Sequence, residues 1–274
     1  MAPPIFPKAF YLAHFVLQIK KIRFFLKQSD GNFATYIAMK KTFLTAEWRK
    51  LAMANYRIDP EVLQKYVPPH TELDLFEGHC YVSLIGFMFM NTRVKGIKIP
   101  FHIDFEEVNL RFYVRYKEGN EWRRGAVFIS EVVSKPMISL VANLLFHEHY
   151  RTLKTKHLSE INANSLKVSY AWKKKQWYSF KVTAGLKSAP FISGSTEEFI
   201  TEHYWGYTKA SKNSTSEYGV EHPAWEVYPV QDYAIDVDFM DMYGCDFAFL
   251  NHQQPDSVFL VEGSAVAIKN GRKV

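Results

Sequence analysis

The clearest pattern of hydrophobic and polar positions in the chain runs from residue 105 to residue 116. Apolar side chains take every second position from Val108 to Tyr116, and polar side chains take the positions between them, from Glu107 to Arg115. A period of two is that of a β-strand with one apolar face and one polar face. This segment is therefore predicted to be a strand that borders the core.

A turn, a second strand and a helix follow this strand along the chain. The second strand is predicted to end near Glu131, and Pro136 suits the first turn of a helix, which we expect over residues 137–146. Lys135 then lies where a strand passes into a helix. Among the side chains of this block, that position makes it the leading candidate for a chemical role.

The rest of the chain also has a strand-rich pattern. With 22 Phe and 16 Tyr among 274 residues, it has ample material for one large core. The predicted class is β-rich α+β, in a single domain over residues 39–274. Apolar runs, caps and turn residues predict strands at 48–56, 81–90, 166–172, 178–185, 226–237 and 257–268, short helices at 61–66 and 195–204, and an ordered loop at 209–225.

Residues 1–38 form a leader with a different character. An apolar run is followed by lysines and an arginine, and the leader carries five cations against one anion, which is +4 of the net charge of +6. One interpretation is a basic amphipathic helix on a membrane surface. The interpretation we favour is that translation begins at Met39, so that the leader is not part of the fold.

The charge and the cysteines limit the partners that we expect. Outside the leader the net charge is small, so the chain has little electrostatic attraction for nucleic acid, and a small molecule is the expected partner. Cys80 and Cys245 show no metal-type spacing and fit a reducing cytoplasm. No cofactor is predicted, no membrane contact is expected unless the leader is real, and a homo-oligomer is left open.

Several motifs of the chain carry a family resemblance: Tyr56-Arg57-x-Asp59, Val67-Pro68, Glu107-Val108-Asn109-Leu110-Arg111, the run from Glu197 to Gly206, Glu221-His222-Pro223 and Glu262-Gly263-Ser264. They resemble the acetoacetate decarboxylase-like superfamily, and one of its branches, the uncharacterised bacterial YqjF-like proteins, more closely. The resemblance covers residues 46–269 and implies a cone-like antiparallel β-barrel with a few peripheral helices around a largely apolar cavity.

The resemblance also implies a comparison with the decarboxylase, which works through a lysine Schiff base activated by a second cation. Here Lys135 stands alone in the corresponding region, and its spacing from Glu131 does not match without a shift. The segment 78–100, where acidic pocket residues are implied, contains no Asp or Glu. Arg49 matches the position for which the resemblance implies a contact with a substrate carboxylate.

The site prediction therefore has two alternatives. The preferred one is a small-molecule-binding protein without the full decarboxylase constellation, and the other is a Schiff-base decarboxylase or aldolase that acts on a keto acid through Lys135. The strand faces that point inward are left open, and so is catalysis itself. The residues predicted to bind the substrate are Arg49, Glu107, Arg111, Glu131, Glu202 and His222.

Two acid-histidine pairs, Glu202-His203 and Glu221-His222, raise the question of a metal site. Adjacent residues of a helix point in different directions, so each pair offers at most one ligand comfortably. The interpretation we favour is that they make structural hydrogen bonds to the loop at 209–225. No metal is predicted.

Overall fold

The computed structural model describes residues 42–274, so the predicted leader and the start at Met39 lie outside the described residues. Its strands are β1 (Thr42–Ile58), β2 (Thr71–Leu73), β3 (Cys80–Val94), β4 (Phe105–Glu118), β5 (Glu121–Val133), β6 (Tyr150–Thr152), β7 (Lys154–Ile161), β8 (Leu166–Lys173), β9 (Trp177–Ala184), β10 (Ala189–Pro190), β11 (Trp205–Ser211), β12 (Ser214–Glu221), β13 (Glu226–Tyr228), β14 (Val230–Asp236), β15 (Ser257–Lys269) and β16 (Arg272–Lys273).

Helices are few and short in the part of the chain that the structure describes. They are α1 (Pro60–Leu63), α2 (Pro136–Phe146), α3 (Thr196–Thr201) and α4 (Phe239–Tyr243), with 3₁₀ turns at Gln64–Tyr66 and Cys245–His252. Across residues 42–274, no helix combines the length and the apolar character needed to cross a membrane.

The main sheet has twelve strands and curls around an interior. Its order is β10-β13-β15-β1-β3-β4-β5-β11-β12-β16, with β2 and β6 paired to β4 and β5. Where the sheet curls back on itself, the parallel pairing between β5 and β11 and the pairing of β12 with β15 have only two residue pairs each. The predicted β-rich fold is confirmed, and the predicted barrel is corrected to a curled sheet, because these pairings are too short for a continuous closure.

Strand β4 is buried on both of its faces. Val108, Leu110 and Phe112 are at most 1% exposed and pack in one cluster with side chains of a second, four-stranded sheet, β14-β9-β8-β7. On the other face Glu107 and Asn109 are 2% exposed. The polar positions Glu107 and Asn109 therefore point into the curled interior and not to water.

The prediction of a loop at 209–225 is wrong, because a hairpin of β11 and β12 spans most of that segment. The buried positions of β12 carry polar side chains, Thr215 and Glu217 among them, each 0% exposed. Glu217 is paired with Arg123, whose Nη1 lies 2.7 Å from Oε1. Apolar periodicity cannot reveal a strand whose buried side chains are satisfied by hydrogen bonds and ion pairs.

Candidate functional site

The curled sheet encloses a cavity of about 60 Å³. A cavity needs about 10–15 Å³ of volume to hold one water molecule, which is one non-hydrogen atom. A volume of this size therefore has room for about four to six non-hydrogen atoms. Much of its wall is aromatic, with Phe87, Phe89, Phe128 and Trp205 among the contributors. The polar side chains that line it are Glu107, Asn109, Arg111, Glu131, Tyr150, His203 and Tyr218.

Strand geometry brings several of these polar side chains together. Glu107, Asn109 and Arg111 occupy alternate positions of β4 and therefore share a face. Glu131 on β5 pairs with Asn109, and Tyr150 on β6 pairs with Glu131. Three neighbouring strands thus place one polar patch on the inner side of the sheet.

Three buried carboxyl groups form the acidic part of this patch, which we call the carboxyl cluster: Glu107, Glu131 and Glu148, which are 2%, 2% and 7% exposed. The hydroxyl of Tyr150 donates to Oε2 of Glu107 at 2.7 Å, and that of Tyr218 donates to Oε1 of Glu148 at 2.7 Å. Oε2 of Glu131 and Oε2 of Glu148 have no hydrogen-bond partner among the described residues. The three carboxyl groups are therefore packed together away from water, and Glu148 interacts directly with Glu131.

Burial changes the protonation of the carboxyl cluster. It raises the pKa of Glu107 to about 7 and the pKa of Glu148 to about 7. Burial, reinforced by the charges of Glu148 and Glu107, raises the pKa of Glu131 well above its ordinary value. Because like charges this close cannot all ionise, the cluster titrates as a unit and retains protons near neutral pH.

Arg111 brings a positive charge to the same cavity. Its Nε donates to the hydroxyl of Tyr113 at 3.3 Å, and its Nη2 donates to the carbonyl of Ile200 at 3.3 Å. Both partners are neutral, and none of the ion pairs found among residues 42–274 includes Arg111. A half-buried guanidinium with neutral partners favours an anionic ligand, which would supply charge-assisted hydrogen bonds.

Another part of the wall is His203, which is hydrogen-bonded to Asp74 outside the cavity lining. Asp74, which follows β2, is 5% exposed and accepts hydrogen bonds at one oxygen, Oδ2. His203 Nε2 lies 3.0 Å from that oxygen, and Arg124 Nε lies 2.6 Å from it. The imidazole is thereby fixed in orientation at the cavity.

The structure brings three of the predicted site residues together, Glu107, Arg111 and Glu131, all of which line the cavity. Lys135 is half-buried at the N-cap of α2, where its carbonyl accepts a hydrogen bond from the amide of Ile138. No lysine among residues 42–274 belongs to the cavity lining. The structure therefore does not place the predicted catalytic lysine where a ligand in this cavity would meet it.

The remaining predicted residues lie elsewhere. Arg49 is engaged with Glu47, its Nη2 lying 2.7 Å from Oε2, and it does not belong to the cavity lining. Glu202 accepts a hydrogen bond from a neighbouring tyrosine hydroxyl. His222 stacks on Trp225 with ring centroids 4.0 Å apart. Within residues 42–274 no group of three His, Cys, Asp or Glu side chains is arranged to hold a metal ion.

Sequence reasoning missed Asn109, Tyr150, His203 and Tyr218 as cavity residues, and it missed Glu148 as a member of the carboxyl cluster. Glu148 and Tyr150 follow the end of α2 in a segment without periodicity, and Tyr150 reaches the cavity only because β6 pairs with β5. Tyr218 lies in the segment predicted to be a loop. The one usable indication was the alternation in β4, which places Asn109 between Glu107 and Arg111.

Comparison with protein families agrees with the resemblance seen in the sequence. A family model, DUF2071, described as an uncharacterized conserved protein, matches residues 45–265. The chain belongs to the DUF2071 family. All of the polar residues that line the cavity fall within the matched region, so the site belongs to the part of the chain that defines DUF2071 membership.

Individual proteins similar to this DUF2071 chain include one relative by sequence and several solved structures of similar fold. It is 29% identical over 181 residues to the uncharacterized protein YqjF of Bacillus subtilis, covering 65% of this chain and 72% of that one. An acetoacetate decarboxylase from Legionella pneumophila matches with a TM-score of 0.57 at 14% identity, over 85% of this chain and 88% of that chain. The enduracididine biosynthesis enzyme MppR, complexed with pyruvate, matches with a TM-score of 0.57 at 13% identity, over 85% and 90% of the two chains. At such identities these structures show a shared fold and nothing more.

Proposed function

We propose that this protein binds a small carboxylate-bearing molecule in the cavity of its curled sheet, with Arg111 as the contact for the carboxylate. The observation that carries this proposal is the half-buried guanidinium of Arg111, which lines the cavity with neutral partners only. A guanidinium that is partly removed from water and has no ion-pair partner within contact distance gains from a carboxylate ligand, which accepts paired N–H···O bonds.

The size and the walls of the cavity narrow the ligand further. Room for about four to six non-hydrogen atoms suits a carboxylate on a chain of one or two further carbons. The aromatic wall suits a short apolar body. Near neutral pH the carboxyl cluster keeps protons, which lowers its repulsion of an incoming anion.

The solved structures of similar fold are consistent with this ligand class. One is called an acetoacetate decarboxylase, and another, MppR, is complexed with pyruvate, so both names refer to small carboxylates. We carry over the ligand class only. The Schiff-base alternative through Lys135 has no support from the cavity, because that side chain does not line it.

Isothermal titration calorimetry with propionate and propionamide tests the proposal. The two compounds have nearly the same shape, and only propionate carries a charge. We expect the full chain to bind propionate about ten- to a hundredfold more tightly than propionamide, since a hydrogen bond to a charged group is worth about 1.5–3 kcal/mol. The Arg111→Gln variant should lose this preference.

Arg115→Gln is the matched control, because Arg115 lies on the same strand and is bound to Glu72 outside the cavity. It should bind propionate as the unmodified chain does. Arg49→Gln tests the competing prediction for the carboxylate contact and should also have little effect. Equal binding of propionate and propionamide, or loss of the preference in Arg49→Gln but not in Arg111→Gln, would refute the proposal.

A borohydride experiment decides between binding and Schiff-base chemistry. The chain is incubated with pyruvate, reduced, and analysed by peptide mass spectrometry. We expect Lys135 to remain unmodified, with Lys135→Ala indistinguishable from the unmodified chain. A reduced adduct at Lys135 would restore the enzyme alternative.

We also propose a cytoplasmic location, without a nucleic-acid partner. Cys80 is buried and Cys245 is exposed, and both are free thiols, as is usual in a reducing compartment. Alkylation of Cys245 in intact cells by a membrane-permeant reagent, but not by an impermeant one, would support this location. Equal alkylation by both reagents would contradict it.

A further inference from the structure

The imidazole of His203 is a buried polar group of the same cavity that the proposed function does not use. It follows α3, lines the cavity, and is enclosed by aromatic rings. The ring of Tyr113 lies 4.5 Å from it, centroid to centroid, and that of Phe199 lies 5.1 Å away at an angle of 85°. The ring therefore has little freedom to turn.

Its hydrogen bond fixes which ring nitrogen carries the proton. Burial opposes ionisation of Asp74, but the hydrogen bonds from His203 and Arg124 outweigh it and lower the pKa of that carboxyl. An ionised carboxylate only accepts hydrogen bonds, so Nε2 of His203 must be the donor across the 3.0 Å contact. In the neutral ring, Nδ1 then presents a lone pair. Nδ1 is buried and has no partner among the described residues.

The surroundings keep this imidazole neutral. Burial, together with the positive charges of Arg124 and Arg111, lowers the pKa of His203 to about 4. Nδ1 is therefore an acceptor throughout the physiological pH range. Because two guanidinium groups already act on this region, a neutral donor such as a hydroxyl suits it better than an ammonium group does.

His203 and Arg111 both contact the ring of Tyr113. The guanidinium carbon of Arg111 is 5.4 Å from the centroid of the Tyr113 ring, on which His203 also packs. Both residues line the one cavity. A small molecule whose carboxylate contacts Arg111 therefore occupies a cavity of about 60 Å³ whose wall includes His203.

We propose that Nδ1 of His203 accepts a hydrogen bond from a hydroxyl group of the bound carboxylate, so that the cavity selects small hydroxycarboxylates. Asp74 is the positioning residue that fixes the tautomer. This inference rests on the proposed function, since the hydroxyl is placed by the carboxylate at Arg111. A site that leaves a buried acceptor unpaired discriminates against analogues that lack the donor.

Lactate, pyruvate and propionate test the proposal as a matched series of probes. They differ at one carbon, which carries a hydroxyl, an oxo group or hydrogens, and only lactate has a donor there. We expect calorimetry on the full chain to show lactate binding about tenfold or more tightly than the other two acids. In His203→Phe, which keeps a flat ring without an acceptor, the three affinities should become similar.

A measurement on the unmodified chain guards against a variant that fails to fold. The ¹⁵N resonances of His203 should show a protonated Nε2 and an unprotonated Nδ1, and addition of lactate should shift the Nδ1 resonance while propionate leaves it in place. Equal affinities for the three acids, or an Nδ1 resonance that lactate does not move, would overturn the role of His203. If none of the three acids binds, or if Arg111→Gln binds them unchanged, the proposed function itself fails.

Discussion

Replacing Glu148 by glutamine gives a direct test of the carboxyl cluster. The substitution keeps the shape of the side chain, and its amide oxygen can still accept the hydrogen bond that Tyr218 donates at 2.7 Å. The amide nitrogen takes the place of Oε2, which has no partner among the described residues. Glu148 itself does not belong to the cavity lining, so the change acts on the cluster and not on a ligand contact.

The expected effect follows from the pKa of Glu148, which burial raises from 4.5 to about 7. The folded protein then binds more protons than the unfolded chain between these two values. The contribution of this group to stability is complete below pH 4.5 and is lost as the pH rises to about 7. A pKa difference of about 2.5 in a group that titrates alone corresponds to about 3 kcal/mol, and because Glu148 titrates together with Glu107 and Glu131, this figure sets the scale of the gain expected for the glutamine variant above pH 7.

Urea denaturation of both proteins between pH 4.5 and pH 8.5 measures this effect. We expect Glu148→Gln to gain stability relative to the unmodified chain as the pH rises, by about 3 kcal/mol in total. Any cost of burying the amide is independent of pH and shifts the whole difference by a constant. Glu160→Gln, an exposed position on β7, is the control and should show no trend. A constant difference between Glu148→Gln and the unmodified chain at every pH would refute the argument.

Two further predictions concern the ligand and the packing beneath it. Glu107 lies beside Arg111 and ionises with a pKa of about 7, and its negative charge then repels a bound carboxylate. Propionate affinity should therefore fall above pH 7, by at most about tenfold per pH unit. Calorimetry that shows affinity rising with pH would contradict this. A methyl group at Gly206 would fall inside the ring of Tyr218, so Gly206→Ala should lose about 1–3 kcal/mol in urea denaturation. Gly219→Ala on the same hairpin meets no atom closer than 3.5 Å and should be nearly neutral, and equal losses in the two variants would disprove this explanation.

The strand pattern of β4 shows how much of the site the sequence could predict. Alternation identified the strand and placed Glu107 and Arg111 on one face, which the structure brings into the cavity. It could not decide which face points inward, because both faces of β4 are buried. The apolar face packs against the second sheet, and no local sequence pattern predicts that sheet as its partner.

The residues that sequence reasoning missed have a common physical reason. Glu148 and Tyr150 join the cluster through a short parallel pairing of β6 with β5, a contact between segments without any apolar period. Lys135 was favoured because it stands at a junction of strand and helix, but its side chain does not line the cavity. Position in an element predicts where the backbone lies, whereas the site depends on which side chains of distant segments meet.

The cost of the carboxyl cluster is itself an argument that the cavity is functional. A domain is stable by about 5–15 kcal/mol, so a buried carboxyl that costs about 3 kcal/mol above pH 7 takes a large share of it. The same strand that carries Glu107 packs Val108, Leu110 and Phe112 on its other face, at most 1% exposed, so β4 supplies well-packed apolar side chains where it borders the second sheet. Its buried polar side chains lie on the side of the cavity, together with the guanidinium of Arg111. The interior is thus polar at the cavity and apolar on the other face of the same strand. Such a local departure from an apolar interior is expected where a protein binds a ligand.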